Sequence, residues 1–358
     1  MKTKEKLINE LIKSPKNFTA KQLNELFELN DFTYKDLRPI LLRIFDLNSE
    51  TILNKSEAEK GFLGKLNKLS RKKREKLFWK KIKKGTYSKI ILAEGDSWFE
   101  YPIFIKDIID HLNKSKKDYA ISSIAYGGDW IANILYEQEY IEKLSLLKPD
   151  IFLISGGGND IVGDFRLAQL ISRRKDISIP ATNRLQTIEE KIDYANICLN
   201  KEFFSLLNLF KLQYKLLFKS IQQNTDKFKK VRIITQGYDY AIPSTKIGFG
   251  IIRPIINMTT GNGKWLKLPL NLNGYKKNEQ ISIVTGMIHH FNEMLIDVGA
   301  EYENIYHIDS RGFVDSKKGW YDELHPKSDE FKKIAKVFEK CIESEAPSKK
   351  VFKVKEEQ

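Results

Sequence analysis

A short buried-strand pattern that ends in a tight turn constrains the fold of this chain more than any other feature. The stretch begins at Lys89 and reads KIILAEGDSW. Its first half is aliphatic without polar alternation, which is typical of a strand buried on both faces of a parallel sheet. Gly95 allows a sharp turn just after the strand. The hydroxyl of Ser97 is therefore expected in the crevice at the carboxyl edge of an open α/β sheet.

From this stretch onward, predicted strands alternate with predicted helices. That rhythm predicts an α/β fold, a three-layer sandwich whose central five-stranded parallel sheet is covered by helices on both faces. The predicted strands span 89–94, 119–125, 150–155, 231–236 and 304–309, and the predicted helices span 104–115, 130–146, 279–298 and 327–344.

Two insertions depart from this rhythm. The insertion 163–229 is mostly helical and rich in Phe and Leu, whereas 243–277 is irregular and rich in Pro and Gly. Both leave from strand ends, so they are expected to lie over the crevice. The Phe/Leu-rich helix of the first insertion could line an acyl pocket, although such a helix is more often part of the core.

A basic segment precedes the α/β domain. The whole chain has a formal net charge of +14, and residues 1–86 contain 22 Lys and Arg against 11 Asp and Glu. We predict a basic helical appendage over 1–86, the main domain over 87–346 and a charged tail over 347–358. The basic block 65–84 interleaves Lys and Arg with Leu, Phe and Trp. This pattern favours a solvated helix whose apolar stripe packs on the main domain, with binding to nucleic acid or an anionic membrane as the alternative.

The expected compartment follows from cysteine usage and hydropathy. Cys198 and Cys341 are far apart in the sequence, so a disulfide framework is not expected and a reducing compartment is the default. The first residues lack the apolar run of a signal peptide, and no stretch reaches the length of about 20 apolar residues that spans a bilayer. We therefore expect a cytoplasmic protein.

A serine hydroxyl becomes a nucleophile only with a base, an orienter for that base and donors for the oxyanion. The candidate base is His325, in the segment WYDELHP before the last predicted helix. Asp322 lies three residues earlier, and in a tight loop its carboxylate can contact one imidazole nitrogen. Taken alone, the pair could also simply cap the following helix.

Two further glycine turns supply candidate oxyanion donors. A second buried-strand pattern ends in Gly157-Gly158-Asn159-Asp160, which would place the Asn159 amide at the crevice. A third ends in Gly127-Gly128-Asp129, where a glycine can present its N–H to a ligand with no side chain in the way. Tyr238, after the fourth strand, is also expected at the crevice edge, where it could bind substrate or hydrogen-bond a loop.

Together and in this order, these blocks resemble the SGNH/GDSL hydrolase superfamily, over roughly residues 88–344. Gly95 to Trp98 matches the first block, with Trp98 where leucine is commoner, and Gly157 to Asp160 and Asp322 to His325 match two others. The lone oxyanion glycine of the family best matches Gly128, because Asp129 follows it, with Gly127 as the rival. The resemblance implies a serine ester hydrolase with catalytic Ser97, Asp322 and His325, an oxyanion hole of Ser97, Gly128 and Asn159, and neither metal nor organic cofactor.

The resemblance does not predict the substrate. The two insertions exceed the compact family core, and the specificity of the family resides in such regions. A small-molecule, lipid or acylated-sugar ester remains possible. The family also includes acyltransferases, so water is the expected but not the sole candidate acceptor. A different class, a metallophosphoesterase using Asp96, Asp129 and Asp160, lacks nearby histidines and is not favoured. An anion-binding protein acting through 65–84 is the non-enzymatic alternative.

Overall fold

A computed structural model describes residues 55–101, 105–179, 185–223, 231–244, 265–345 and 348–356, with the single positions 9 and 228, and for 55–66 and 164 it describes the backbone only. The helices are α1 (Lys55–Lys84), α2 (Ile108–Leu112), α3 (Ile131–Glu137), α4 (Glu139–Leu147), α5 (Gly158–Val162), α6 (Ile188–Cys198), α7 (Lys201–Gln222), α8 (Lys267–Leu272), α9 (Lys277–Ala300) and α10 (Ser328–Glu343). The strands are β1 (Ile90–Gly95), β2 (Ala120–Ser123), β3 (Ile151–Ser155), β4 (Arg232–Gln236), β5 (Ile305–Asp309) and β6 (Val351–Lys353). Two 3₁₀ turns, Gly163–Gln169 and Arg174–Asp176, follow α5.

The six strands form one parallel sheet in the order β2-β1-β3-β4-β5-β6. Ile91 of β1 pairs with Ile121 of β2 on one side and with Ile151 of β3 on the other. Such a sheet reverses its winding between β1 and β3, and ligands of open α/β sheets bind at that switch point, outside the carboxyl ends of the strands. Ser97 and Asn159 each follow one of these two strands.

The predicted α/β class and parallel sheet are confirmed, because every residue of β3 and β5 is buried and helices pack against the strands. Helices α3, α6, α7 and α9 form one connected group, and α2 packs with α10 in another. The predicted helix 130–146 is two helices, since Gln138 adopts a left-handed φ of 52° between α3 and α4.

The predicted strand count of five is wrong, because β6 adds a sixth strand from within the charged tail 347–358. Val351 to Lys353 pair in parallel with His307 to Asp309 of β5. The segment alternates in burial: Phe352 and Val354 are buried while Lys353 is exposed. The strand therefore covers the β5 edge of the sheet, which would otherwise present unpaired backbone groups.

Helix α1 packs on the α/β domain along β2 rather than standing apart from it. Asn67, Arg74 and Phe78 are buried on its packed side, whereas Lys72 and Lys76 are exposed. The favoured interpretation of the basic block, a helix that packs on the domain and keeps its lysines in solvent, agrees with this arrangement. The domain limits at 86 and 346 remain predictions.

The inserted segment 163–229 contains α6 and α7, as its composition predicts. Phe203, Phe210, Tyr214 and Phe218 of α7 are buried in the core. Of the second insertion, 245–264 lies outside the described residues, as do 1–54 of the predicted appendage except position 9. Cys198 and Cys341 are free thiols within the core. No helix within the described ranges combines the length and the apolar character needed to cross a bilayer.

Candidate active site

The turn after β1 places Ser97 at the carboxyl edge of the sheet because position 95 tolerates only glycine. Gly95 has a φ of +152°, and a Cβ on it would lie 2.3 Å from the carbonyl oxygen of Ser155 in the neighbouring strand. The Asp96 N–H donates to that same oxygen at 3.0 Å, and the Tyr126 N–H donates to the Gly95 carbonyl at 2.8 Å. The turn is thus packed between β2 and β3, and any side chain at position 95 would force these strands apart.

The structure brings Ser97, His325 and Asp322 together across more than 220 residues of sequence. The Nε2 of His325 lies 2.7 Å from the Ser97 Oγ. The Nδ1 of the same ring lies 2.9 Å from each carboxylate oxygen of Asp322. Ser97 is half-buried, so a ligand can reach its hydroxyl, whereas Asp322 is fully buried. This is the order nucleophile, base and orienter that an activated serine requires.

Asp322 is held as a carboxylate by its hydrogen-bond donors. Burial acts to raise its pKa, but electrostatic attraction to His325 and hydrogen bonds from the His325 ring and from the N–H groups of Leu324 and His325 outweigh burial, so the pKa lies below its ordinary value. The hydroxyl of Tyr101 adds a further donor, 3.1 Å from Oδ2. A carboxylate fixed in this way selects the tautomer of His325 that carries its proton on Nδ1 and leaves Nε2 free to accept one.

The loop that carries His325 is closed on itself and tied to Trp98. The Tyr321 N–H donates to the His325 carbonyl at 2.8 Å, and Trp320 forms an antiparallel bridge with Pro326. The indole N–H of Trp98 donates to the Leu324 carbonyl at 3.1 Å. Trp98, the residue after Ser97, therefore holds Leu324, the residue before His325. This contact gives tryptophan a role at a position where the family resemblance leads one to expect leucine.

The predicted oxyanion donors lie in three turns that hydrogen bonds tie together at the carboxyl edge of the sheet. Asn159, at the start of α5, lines a cavity together with Ser97 and His325. One hydrogen of its Nδ2 donates to the carbonyl of Asp129 at 2.9 Å, which ties the amide to the turn after β2. Gly128 lies in that turn with a left-handed φ of 93°. In the same turn, the carbonyl of the rival Gly127 accepts from Nδ2 of Asn67 at 3.2 Å, which ties the turn to α1.

Tyr238 links the turn after β1 to the turn after β3. This is the loop hydrogen bonding that the sequence left open as one of its two possible roles. Its hydroxyl donates to the Asp96 carboxylate at 2.5 Å and accepts from the Gly158 N–H at 2.9 Å. Asp96 is fully buried, and burial raises its pKa to about 6 even though Tyr238 and Trp98 donate to it. Tyr238 therefore fixes the spacing between the residue before Ser97 and the residue before Asn159.

A cavity of about 70 Å³ opens beside the Ser97 hydroxyl, and its walls are chiefly apolar. Val284, Met287 and Ile288 of α9 form one wall. Ile161, Val162, Leu167, Ala241 and Leu266 contribute most of the rest. The alternative that the Phe/Leu-rich helix α7 lines an acyl pocket is wrong for this cavity, because no α7 residue is part of its lining. The lining comes from α9, from residues just before the two insertions, and from Leu167 and Leu266 within them. Most of the aromatic rings of α7 lie in the core instead: Phe203, Phe210, Tyr214 and Phe218.

Glu323 anchors the second insertion to the loop that carries His325. Its carboxylate accepts from four backbone N–H groups at 2.9 to 3.2 Å. One donor, Ser244, precedes the undescribed part of the insertion, and Trp265, Leu266 and Lys267 follow it. Burial raises the pKa of Glu323, while these N–H groups act to lower it.

Three residues with clear roles in this geometry escaped the sequence analysis or its assignment of roles. Tyr101 and Glu323 were not singled out, and Trp98 was noted only as a departure from a pattern. Glu323 lies between Asp322 and His325, so its position in the motif was a usable signal. Nothing local marks Tyr101, whose partner Asp322 is 221 residues away.

The aspartates considered for a metal site are occupied by other contacts. Asp160 accepts from the Ile131 N–H at 3.0 Å, and burial raises its pKa to about 6. Asp129 accepts from the Trp130 N–H and from Nδ2 of Asn133. Among the described residues, no three or more His, Cys, Asp or Glu side chains are grouped so as to hold a metal ion.

Comparison with known proteins yields solved structures of similar fold. No protein-family profile matches the chain, and no curated protein matches it in sequence. The chain is similar in structure to a protein described as a GDSL-like lipase from Parabacteroides merdae, with 12% identity over 72% of this chain and 96% of that one and a TM-score of 0.40.

Two further structures have a similar degree of likeness. An acetylxylan esterase from Geobacillus stearothermophilus shares 13% identity over 74% of this chain and 98% of that one, with a TM-score of 0.35. A phospholipase A1 from Streptomyces albidoflavus shares 14% identity over 68% of this chain and 94% of that one, with a TM-score of 0.37. The function proposed below rests on the contacts within this chain.

Proposed function

We propose that the protein is a serine ester hydrolase with Ser97 as nucleophile, His325 as general base and acid, and Asp322 as orienter. The observation that carries the proposal is the continuous contact from the Ser97 Oγ to the His325 Nε2, at 2.7 Å, and from the His325 Nδ1 to Asp322, at 2.9 Å. These groups lie beside an apolar cavity at the switch point of the sheet. A serine that was merely structural would not need a buried carboxylate behind its histidine.

In the first half-reaction, the Ser97 Oγ attacks the ester carbonyl carbon and its proton passes to the His325 Nε2. Asp322 stabilises the imidazolium that forms. The tetrahedral intermediate then collapses, the bond to the alkoxy oxygen breaks, and His325 returns the proton to the departing alcohol. In the second half-reaction, water attacks the acyl-serine with His325 again as base, and the acid leaves as Ser97 regains its proton.

The negative charge on the tetrahedral oxygen needs donors aimed at it. The Nδ2 of Asn159 has two hydrogens, and the bond to the Asp129 carbonyl uses one of them. Within the described part of the chain the second hydrogen has no acceptor, so it can donate to the oxyanion together with the N–H groups of Ser97 and Gly128 in the proposed hole. Removal of one such donor usually slows an acyl-transfer enzyme by about a hundredfold or more.

The cavity favours an ester with a short apolar acyl group. Its volume of about 70 Å³ corresponds to roughly five water-sized groups. Its walls offer few polar partners away from Ser97, Asn159 and His325, so hydroxyl-rich acyl groups would lose hydrogen bonds on entry. We propose that the acyl chain enters this cavity and that the alcohol departs toward solvent.

Hydrolysis of p-nitrophenyl esters of increasing acyl length tests the proposal. Ser97→Ala should lower kcat by at least about a thousandfold, and Asn159→Ala by about a hundredfold with a smaller change in KM. Ser123→Ala is a matched control, because Ser123 ends the neighbouring strand β2 and its buried hydroxyl has no hydrogen-bond partner among the described residues. Full activity in Ser97→Ala would refute the assignment.

The acyl acceptor is a separate question that the same assay answers. An acyltransferase would convert the ester to a new ester when an alcohol is added, at the expense of the free acid. We expect the acid to remain the major product, because the half-buried Ser97 hydroxyl leaves water access to the acyl-enzyme.

The exposed side of α1 favours a second function, attachment to an anionic lipid surface. Lysines 68, 72, 76, 80 and 83 recur every three or four residues and are all exposed, which places them on one face of the helix. Trp79 is 41% exposed beside them. Lysines attract anionic headgroups, and tryptophan is favoured at the headgroup level of a membrane.

Sedimentation with vesicles tests this attachment. Binding to phosphatidylserine-containing vesicles should exceed binding to phosphatidylcholine vesicles and should weaken steeply with salt. Combining Lys72→Glu and Lys76→Glu should abolish it, while Lys201→Glu with Lys336→Glu, exposed lysines on other helices, should not. Salt-sensitive binding to RNA without any binding to vesicles would contradict the lipid assignment.

A further inference from the structure

Helix α1 reaches the edge of the sheet where the candidate site lies. At one end of β2, Nδ2 of Asn67 donates to the Gly127 carbonyl at 3.2 Å, in the turn that holds Gly128. At the other end, Nζ of Lys81 donates to the Tyr119 carbonyl at 2.7 Å, just before β2 begins. The helix therefore runs antiparallel to β2, and residues near Asn67 lie at the carboxyl edge, beside the proposed oxyanion turn.

One buried cation of this helix holds the segment that follows the nucleophile. The Arg74 side chain is 3% exposed, and its Nη1 donates to the Phe99 carbonyl at 2.5 Å and contacts Glu100 at 2.7 Å. Its Nη2 contacts Asp107 at 2.6 Å and Asp110 at 3.2 Å. A planar guanidinium can hold a carbonyl and several carboxylates at fixed angles, which an ammonium group cannot.

The clamped segment carries a side chain that contacts the proposed orienter and base. The Tyr101 N–H donates to the Asp107 carboxylate at 2.9 Å, on the same oxygen that Arg74 contacts. The Tyr101 hydroxyl donates to Asp322 at 3.1 Å, and its ring centroid lies 4.4 Å from that of His325. Tyr101 is itself buried. A continuous set of direct contacts thus joins Arg74, Asp107, Tyr101 and Asp322.

We propose that α1 contributes to the active site by positioning catalytic residues. Arg74 of α1 fixes the segment that follows Ser97. Tyr101 in that segment is the second positioning residue, because it in turn fixes Asp322 and His325. The inference rests on the proposed hydrolase function and extends it, because it assigns a role in catalysis to a helix that lies outside the motif-bearing domain. It also explains why the basic helix buries an arginine among three carboxylates while its lysines stay in solvent.

Two substitutions of different severity test the inference by kinetics. Tyr101→Phe removes only the hydroxyl and should lower kcat about tenfold with KM nearly unchanged, since a hydrogen bond to a charged group is lost. Arg74→Lys keeps a positive charge but cannot hold Phe99 and Asp107 together, and it should lower kcat at least as much. The matched control is Arg71→Lys, in a half-exposed ion pair with Glu139 one turn away, which should leave kcat unchanged.

The double variant separates positioning from general destabilisation. If both residues act through one set of contacts, Arg74→Lys combined with Tyr101→Phe should lower kcat by clearly less than the product of the two single effects. Multiplicative effects, or a folded Arg74→Lys protein with the kcat of the wild type, would overturn the inference. Circular dichroism and thermal unfolding establish that each variant is folded.

A spectroscopic readout keeps the inference distinguishable from the hydrolase proposal. The proton on the His325 Nδ1, hydrogen-bonded to Asp322, should give a low-field proton resonance in the NMR spectrum, identified by its loss in His325→Gln. Tyr101→Phe and Arg74→Lys should both shift it, and Arg71→Lys should not. An unmoved resonance overturns the inference whatever the activity, whereas an inactive wild type with a shifted resonance counts against the hydrolase proposal alone.

Discussion

The indole N–H of Trp98 should be required to keep His325 in contact with Ser97, and Trp98→Phe removes it while keeping an aromatic ring. Trp98 is 2% exposed, and the only nitrogen of its side chain donates to the Leu324 carbonyl at 3.1 Å. Loss of a donor to a part-buried carbonyl costs about 1–3 kcal/mol. The edge contacts of the ring with Tyr238 and Phe331, at centroid distances of 5.4 and 5.3 Å, are largely kept by phenylalanine.

The two expected effects are separable. Urea titration should show a loss of about 2 kcal/mol in the unfolding free energy, because the Leu324 carbonyl loses its donor and phenylalanine fills less volume than the indole. Steady-state hydrolysis should show kcat lowered by about tenfold, because small displacements of a catalytic group cost far more in rate than in stability. KM should change less, since the apolar wall formed by α9 is untouched.

Phe331→Leu is the matched control for this prediction. Phe331 is fully buried against the same indole, and its hydrocarbon ring has no hydrogen-bond donor for the Leu324 carbonyl. It should lower the unfolding free energy by about 1 kcal/mol and leave kcat within twofold of the wild type. If Trp98→Phe also kept the wild-type kcat while losing stability, the indole would be a core residue only, and its role in placing the histidine loop would be refuted.

Three further predictions follow from the buried carboxyls and the cavity. Because burial raises the pKa of Asp96 from 3.8 to about 6, its protonated form favours the fold below about pH 4 and that stability is lost as the pH rises through 6. The unfolding free energy of the wild type relative to Asp96→Asn should therefore fall by about 2.5 kcal/mol between pH 4 and pH 8 in urea titrations; a pH-independent difference contradicts it. Glu323→Gln should leave two of the four N–H donors without an acceptor and lower the unfolding free energy by about 2–4 kcal/mol, with a raised KM because Leu266 lines the cavity; unchanged stability and KM would show that the anchor is dispensable. Met287→Trp should fill the cavity and reduce kcat/KM for hexanoyl esters at least about tenfold relative to acetyl esters, and an unchanged ratio would place the acyl chain elsewhere.

The sheet could be predicted because its strands carry their own signal. Runs such as Ile90 to Ala93 and Ile151 to Ile154 are apolar without alternation, and only burial on both faces suits them. The strand β6 gives no such signal. Its three residues, Val351 to Lys353, lie in a charged tail and become a strand only because the edge of β5 is available to pair with them. That information is tertiary and is absent from any local window.

The residues of the candidate site likewise fall into two groups, those that local sequence reveals and those that only tertiary contacts reveal. Ser97, Asn159 and the pair Asp322 and His325 lie in short motifs whose spacing is visible in the sequence. The residues that hold these groups in place are not marked by such motifs. Trp98 and Leu324 are 226 positions apart, and a tryptophan in the sequence is equally consistent with a core residue. The buried Arg74 was one basic residue among many in the block 65–84, and only its partners, Asp107 and the Phe99 carbonyl, distinguish it from its exposed neighbours.

The most direct test is reaction of the wild-type protein with a fluorophosphonate, followed by mass spectrometry of the modified peptide. The contacts of Ser97 with His325 predict a single phosphonylated residue, Ser97, and a reaction rate that falls by at least about a hundredfold in His325→Gln. A wild-type protein that remains unmodified, or one modified at another serine while Ser97 stays free, would contradict the assignment of Ser97 as the nucleophile.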